Sequence, residues 1–378
     1  MRPIQMVDLK QQYQQIKSEI DAAIHEVLES CLFINGPQVQ RFADALAQYH
    51  GVKHVIPCAN GTDALQIAMM ALGLKPGDEV IAPSFTYIAT TEVIALLGLT
   101  TVFVEVDKHT FCMDVDAIEK AITPKTKAIV PVHLYGQAAD MERIMQIAQK
   151  HALFVIEDNA QAIGCDYTFS NGHVQKTGSI GTIGCTSFFP SKNLGGYGDG
   201  GAITTNDDAL ADKLRMIANH GQSKRYYHER VGCNSRLDTL QAAVLEIKLK
   251  YLDDYIAARQ KVAAYYDAAF AGHPKISTPQ RTAWSNHVFH QYTLILDGLD
   301  RDALNDYLAA RKIPSMIYYP VPAHRQQLFA ALGGAAVSLP VTDWLTERVI
   351  SLPIHTEMDA GQLETITTSV LAFADNKN

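Results

Sequence analysis

A basic excess, paired cysteines and long apolar runs are all missing from this 378-residue chain. Its 32 lysines and arginines stand against 40 aspartates and glutamates, a net charge of -8, which argues against sequence-independent binding to nucleic acid. The six cysteines are scattered without a C-x-x-C pair, so reduced thiols are expected rather than a disulfide framework, and no metal site is expected. The first residues lack the apolar core of a signal peptide. The most apolar run, 93–104, is bracketed by Glu92 and Glu105 and is too short to span a bilayer. These absences predict a soluble cytoplasmic protein with no membrane partner. H-E-x-x-H, a Walker loop, a dinucleotide-type G-x-G-x-x-G following a strand and G-x-S-x-G are also missing, which disfavours zinc peptidase, P-loop, dinucleotide-binding and serine hydrolase chemistry.

What is there is the composition of a globular enzyme, with 47% hydrophobic and 19% charged residues. Short apolar runs at 53–57, 79–82, 101–105, 127–132, 154–157 and 201–205 alternate with helical patterns at 62–72, 86–97, 114–122 and 140–151. Strands apolar on both faces and interleaved with helices predict an α/β fold, a mostly parallel sheet covered on both sides. An amphipathic helix at 16–30 and a turn at 33–37 precede this core, and a long helical stretch, 238–271, follows it. The rhythm then changes to strands near 289–296 and 315–319, with helices at 301–311 and from 360 to the end. The expected division is a large domain, 1–250, and a smaller C-terminal α+β domain, 251–378.

One segment concentrates the chemistry: Ser187-Phe-Phe-Pro-Ser-Lys192 followed by Gly195, Gly196, Gly198, Gly200 and Gly201. It sets a lysine between a strand end and glycines that let backbone approach a flat ligand. Upstream, the apolar run beginning at Phe154 ends in Glu157-Asp158-Asn-Ala-Gln161, placing Asp158 at the carboxyl end of a strand, where open α/β sheets bind ligands. An amine able to form a Schiff base, with a carboxylate to pair with a pyridinium nitrogen, is the minimal apparatus of pyridoxal 5'-phosphate (PLP) chemistry. Asn60-Gly61-Thr62 opens a helix and offers N–H groups to a phosphate, as does the Ser187 hydroxyl, and Tyr87 could stack on a ring. Each feature has a plainer reading alone: Asp158 or Thr62 as a helix cap, Lys192 as a solvated charge, Tyr87 as core.

In combination, Asn60-Gly-Thr-Asp-Ala-Leu, Glu157-Asp-Asn-Ala-Gln161, Ser187-Phe-Phe-Pro-Ser-Lys192-Asn-Leu-Gly and Gly198-Asp-Gly-Gly resemble the DegT/DnrJ/StrS-type sugar-nucleotide aminotransferases. The likeness runs from Asp8 to His355. It implies the fold-type I aminotransferase architecture and a homodimer with shared active sites. Lys192 would be the Schiff-base lysine, and Asp158 the partner of the pyridine nitrogen. Gln161 and Tyr87 would lie against the ring. Gly61, Thr62 and Ser187 would hold the phosphate, with Asn234 reaching in from the second subunit. Tyr319 and His324 match a segment near the sugar nucleotide, and Arg230 and Arg236 are candidates for a substrate carboxylate.

The Phe188-Phe-Pro-Ser-Lys192-Asn-Leu-Gly segment is similar to the branch acting on 3-keto sugars. The implied reaction moves an amino group from glutamate to a 3-keto sugar nucleotide, UDP-2-acetamido-2-deoxy-3-keto-glucuronate first among them, for surface polysaccharide synthesis. The alternatives are a dTDP- or GDP-linked 3- or 4-keto acceptor and, from another class, a non-catalytic regulator that keeps the fold. A dehydratase of the same fold would carry histidine where this chain has Lys192.

Overall fold

The computed structural model describes residues 2–375. Its centre is a seven-stranded sheet in the order His54–Cys58, Gly201–Thr205, Ile183–Ser187, Phe154–Asp158, Thr126–Ile129, Glu79–Pro83, Thr100–Val104. Every pairing is parallel except the two made by Gly201–Thr205, which runs against both neighbours. Successive strand residues point to opposite faces, and both faces are buried. Val55, Ile81, Ile129 and Val155 join one apolar cluster, with Phe42 and Leu46 of the helix Pro37–His50. Ile56, Val80, Ala128 and Ile156 join the other, with the helices Gly61–Ala71 and Asp208–Ala218. This is the doubly covered sheet that the unbroken apolar runs predict.

Helix boundaries follow their capping chemistry. Asn60, Asp140, Asp207 and Asp300 each accept a first-turn N–H at the start of a helix. The helices Pro37–His50 and Asp208–Ala218 and the strand Val349–Leu352 are additions to the sequence reading. The long stretch expected at 238–271 is two helices, Thr239–Leu249 and Leu252–Phe270, broken at Lys250–Tyr251. The first packs on the helices Lys17–Ser30 and Pro37–His50, the second on Ala360–Asp375. The last helix was expected to reach the end of the chain, and its final three positions lie outside the described residues.

A second, three-stranded sheet of Ile276–Ser277, Tyr292–Leu296 and Val349–Leu352 is antiparallel and has its own cluster, including Tyr266, Leu294, Leu308 and Ile366. The strand expected at 315–319 does not form. Only Met316 bridges to Ser351, because the chain then leaves the sheet to carry Tyr318 and Tyr319 into the main cavity. Residues at the N-terminus, counted with the large domain in the sequence reading, pack with the C-terminal unit. Ile4 joins its cluster, and the Pro3 carbonyl accepts from Gln362 Nε2 at 3.1 Å. Among the described residues, no helix is long and apolar enough to cross a membrane.

Candidate active site

A cavity of about 750 Å³ opens where the central parallel strands end. Its floor is built from Asp158, ending one strand, and Ser187, ending the next. Asn60, Gly61 and Thr62 open a helix on one side; Tyr87 forms a rim; His290, Gln291, Tyr318 and Tyr319 form the far wall. The geometry demands a glycine at the helix start: a Cβ on Gly61 would lie 2.8 Å from the Ser187 Cβ. Asn60 Oδ1 accepts from the Asp63 N–H at 2.8 Å. That leaves the earlier first-turn N–H groups without intrahelical acceptors, beside the Ser187 hydroxyl.

Lys192 enters from a tight turn in which its own N–H bonds the Phe189 carbonyl at 2.8 Å. The turn is pinned on both sides of the lysine. Asn193 Nδ2 donates to the Val288 carbonyl at 3.0 Å, and buried Lys248 donates to the Gly195 carbonyl at 2.6 Å. A Cβ at Gly195 would sit 2.3 Å from the Pro190 carbonyl oxygen, so only glycine permits the bend. The Lys192 ammonium itself has no hydrogen bond or ion pair among the described residues. Burial pushes its pKa down to about 8, opposed by the negative charge of Asp158.

Asp158 is buried, and both carboxylate oxygens are held. Thr90 Oγ1 donates to Oδ2 at 2.7 Å, and the Ala160 N–H donates to Oδ1 at 3.1 Å. Gln161 spans the cavity wall. Its Oε1 accepts from the Tyr135 N–H at 2.8 Å, and its Nε2 donates to the Tyr319 hydroxyl at 3.0 Å. The Tyr135 hydroxyl bonds the Tyr318 carbonyl, tying the same arm to the sheet. Burial pushes the Tyr319 phenol up. Tyr87 is 56% exposed, so its ring is not the core residue that its apolar neighbours would suggest.

The structure therefore brings together Gly61, Thr62, Tyr87, Asp158, Gln161, Ser187, Lys192 and Tyr319. Asn234, Arg230 and Arg236 do not line the cavity of their own chain; Asn234 and Arg230 are exposed, on the segment that follows the central strands. His324 is a correction. Its ring is fully buried, with Nδ1 2.7 Å from Ser84 Oγ and Nε2 3.4 Å from Asp343, and it cannot touch a ligand in the cavity. Its N–H also donates to Ser84 Oγ at 3.0 Å, so it clips the Tyr318–Tyr319 arm to the end of a strand. Thr90, His290, Gln291 and Tyr318 escape the sequence reading. Thr90 had one signal, a hydroxyl four residues after Thr86 at a helix start; His290 had none.

The residues present suit PLP. An unpaired amine, a carboxylate fixed in orientation, an anion-binding helix start and an aromatic rim converge on one cavity. Among the described residues, no group of three or more His, Cys, Asp or Glu is placed to hold a metal.

Comparison with known proteins agrees. Residues 14–371 match the DegT/DnrJ/EryC1/StrS aminotransferase family. The chain is 48% identical over 367 residues to the UDP-2-acetamido-2-deoxy-3-oxo-D-glucuronate aminotransferase of Pseudomonas aeruginosa, covering 97% of this chain and 99% of that one. It is 45% identical to the pleiotropic regulatory protein of Geobacillus stearothermophilus, covering 98% of each. The crystal structure of S. venezuelae DesV in complex with a ketimine intermediate superposes with a TM-score of 0.95 at 39% identity, covering 100% of both chains. With its Lys192–Asp158 cavity and a likeness that spans nearly every residue, this chain belongs to the DegT/DnrJ/EryC1/StrS aminotransferase family and is a PLP-dependent transaminase of fold-type I.

Proposed function

We propose that this protein transfers an amino group from glutamate to carbon 3 of a 3-keto sugar nucleotide, UDP-2-acetamido-2-deoxy-3-keto-glucuronate. The observation that carries this reading is the unpaired Lys192 amine in one cavity with the doubly bonded Asp158, in a chain 48% identical to an aminotransferase for that sugar. The cofactor, when bound, supplies an electron sink for the negative charge that develops at the substrate carbon.

The chain's own residues supply the rest. Lys192, with its pKa lowered toward 8, is partly neutral near physiological pH, so its Nζ can take a proton from carbon and return one. Asp158 offers its free lone pairs to the ring nitrogen and keeps it protonated. Gly61, Thr62 and Ser187 hold the phosphate through N–H and hydroxyl groups, and Tyr87 covers a ring face. Gln161 retains a second amide hydrogen for the ring oxygen, because Tyr319 uses only one. The glycine-bounded turn and the Asn193 and Lys248 anchors hold Lys192 in reach throughout.

A uronate needs a cationic or hydrogen-bonding partner, best an arginine fork, and Lys192 is the only lysine or arginine lining the cavity among the described residues. The missing cation supports a homodimer in which Asn234, Arg236 and Arg230 reach the second subunit's site. The break at Lys250–Tyr251 is our choice for the boundary between the large and small domains. We assign the reaction to the cytoplasm, in synthesis of a surface polysaccharide.

The test is turnover in reverse, from the UDP-linked 3-amino uronate and 2-oxoglutarate. Efficient turnover of a 4-keto sugar nucleotide with none of the 3-keto uronate would overturn the acceptor. The regulatory name of one relative favours a second reading, a non-catalytic protein. In that case glutamate would leave the absorbance of the PLP-loaded protein unchanged.

A further inference from the structure

The stretch from Thr86 to Thr91, which follows the strand Glu79–Pro83 and opens the helix Ala89–Leu96, carries three neighbouring hydroxyls that behave differently. Thr91 bonds the Ile88 carbonyl at 3.1 Å, the usual local use of a hydroxyl at a helix start. Thr90, also fully buried, makes no such local bond and donates across the sheet end to Asp158 Oδ2 at 2.7 Å. Thr86 Oγ1, on the cavity wall, lies 3.1 Å from Thr90 Oγ1. The direction of this chain is determined. A carboxylate only accepts, so the Thr90 hydrogen is committed to Asp158, and Thr90 must accept the hydrogen of Thr86. Each donation polarises the next, and the full effect falls on one oxygen of one buried carboxylate.

We propose that Thr90, backed by Thr86, is a positioning residue for amino transfer, fixing the orientation of Asp158 toward the cofactor's ring nitrogen. The proposal rests on the PLP reading of the site. Two requirements meet at Asp158. Its carboxylate is buried and so needs donors within the protein, which Thr90 Oγ1 and the Ala160 N–H supply, one to each oxygen. It must also face the ring edge-on, and bonds to both oxygens, from Thr90 and from the Ala160 N–H, prevent rotation about the side chain. The same short segment carries Tyr87 on the cavity rim, so the group covering the ring and the group orienting its acid share one piece of backbone.

Removing the Thr90 hydroxyl leaves Asp158 held at one oxygen only, so the carboxylate can turn and its hold on the ring proton weakens. The test uses holoenzyme loaded with PLP labelled with nitrogen-15 in the ring. In Thr90→Val, which conserves volume, the nitrogen resonance should move toward the unprotonated position, and the pH midpoint of the visible band should shift. The kcat should fall about tenfold with KM changed less than twofold, in line with loss of a hydrogen bond to a charged group. Thr90→Ser should restore the resonance, the midpoint and most of kcat, and Thr86→Val should produce a smaller change of the same sign. If Thr90→Val does not fold, Thr90→Ala and Thr90→Cys carry the same readouts.

An unchanged resonance and midpoint in the folded variant would overturn the role, whatever happened to thermal stability. Asp158→Asn is the control that separates the two levels. If it moves the resonance and Thr90→Val does not, the proposal alone fails. If Asp158→Asn leaves the resonance in place, Asp158 is not the ring's partner, and the reading of the site fails with it.

Discussion

His133 Nε2 lies 2.9 Å from Glu157 Oε2, both side chains wholly buried on the opposite face of the strand that delivers Asp158 to the cavity. The His133 Nδ1 accepts from the Ala139 N–H at 3.1 Å, so Nε2 carries the hydrogen and donates it to Glu157. The carboxylate also accepts N–H groups from Gly178, Ile180 and Gly181 at 2.8, 2.7 and 2.6 Å. Burial raises its pKa, but the His133 hydrogen bond, with the Gly181 and Gly178 N–H groups, outweighs burial and holds it low. Adjacent acids on one strand thus divide the work: Glu157 braces the strand end, and Asp158 faces the cavity.

Replacing Glu157 with Gln substitutes an amide that donates where four donors converge. The expected loss is about 1–3 kcal/mol in denaturant unfolding. Since the folded pKa is depressed, the contribution of Glu157 is present above the unfolded carboxylate range and is lost as pH falls through the lower folded value. The stability gap between wild type and Glu157→Gln should therefore close on acidification. A gap that stays constant from pH 7 to pH 3 would show that the charge is not what matters.

Lys192→Ala should fold and bind PLP without a covalent bond, losing the visible absorbance of the lysine-bound cofactor. Borohydride followed by peptide mapping should label Lys192 in the wild type and nothing in the variant. With a pKa near 8 in the cofactor-free protein, the amine should react with an acylating reagent far faster at pH 9 than at pH 7. Labelling of another lysine by borohydride would refute the assignment.

Asn234 is exposed and does not line its own chain's cavity, so the role implied for it calls for a second copy. Mixing inactive Lys192→Ala with inactive Asn234→Ala subunits should restore activity, because each mixed dimer regains one site free of both lesions. Mixed dimers that form, demonstrated by mass, and stay inactive would count against sharing.

Lys248 is buried, donates to the Gly195 carbonyl and sits 5.3 Å from the Tyr197 ring centre. Burial, with a smaller contribution from Arg259, lowers its pKa to about 7. The unfolded chain then binds more protons than the folded one between about pH 7 and the usual lysine range, so stability rises with pH across that window. The Lys248→Met variant lacks this term. Wild type should gain on it by up to about 1.4 kcal/mol per pH unit between pH 7.5 and 9.5, measured by urea unfolding. Parallel stability curves would show that the buried amine titrates normally.

The doubly covered sheet, and the Lys192–Asp158 pair at its carboxyl edge, could be read from local sequence. Residues 154–156 and 201–203 have no polar side chain at adjacent positions, as strands buried on both faces do, and strand ends, caps and glycine turns are local features. Lys192, Asp158, Gly61 and Ser187 were legible because each sits at such a junction. What surrounds them was decided by tertiary structure. Thr90 reaches Asp158 across 68 residues of chain, and Gln161 meets Tyr319 across 158. His324 looked like a ligand contact beside Tyr319, yet its backbone turns back to Ser84 and buries the ring. The physical reason is the topology: parallel strands bring their carboxyl ends side by side regardless of their distance in sequence. The polar partners gathered there are chosen by packing, for which period and composition leave no local mark.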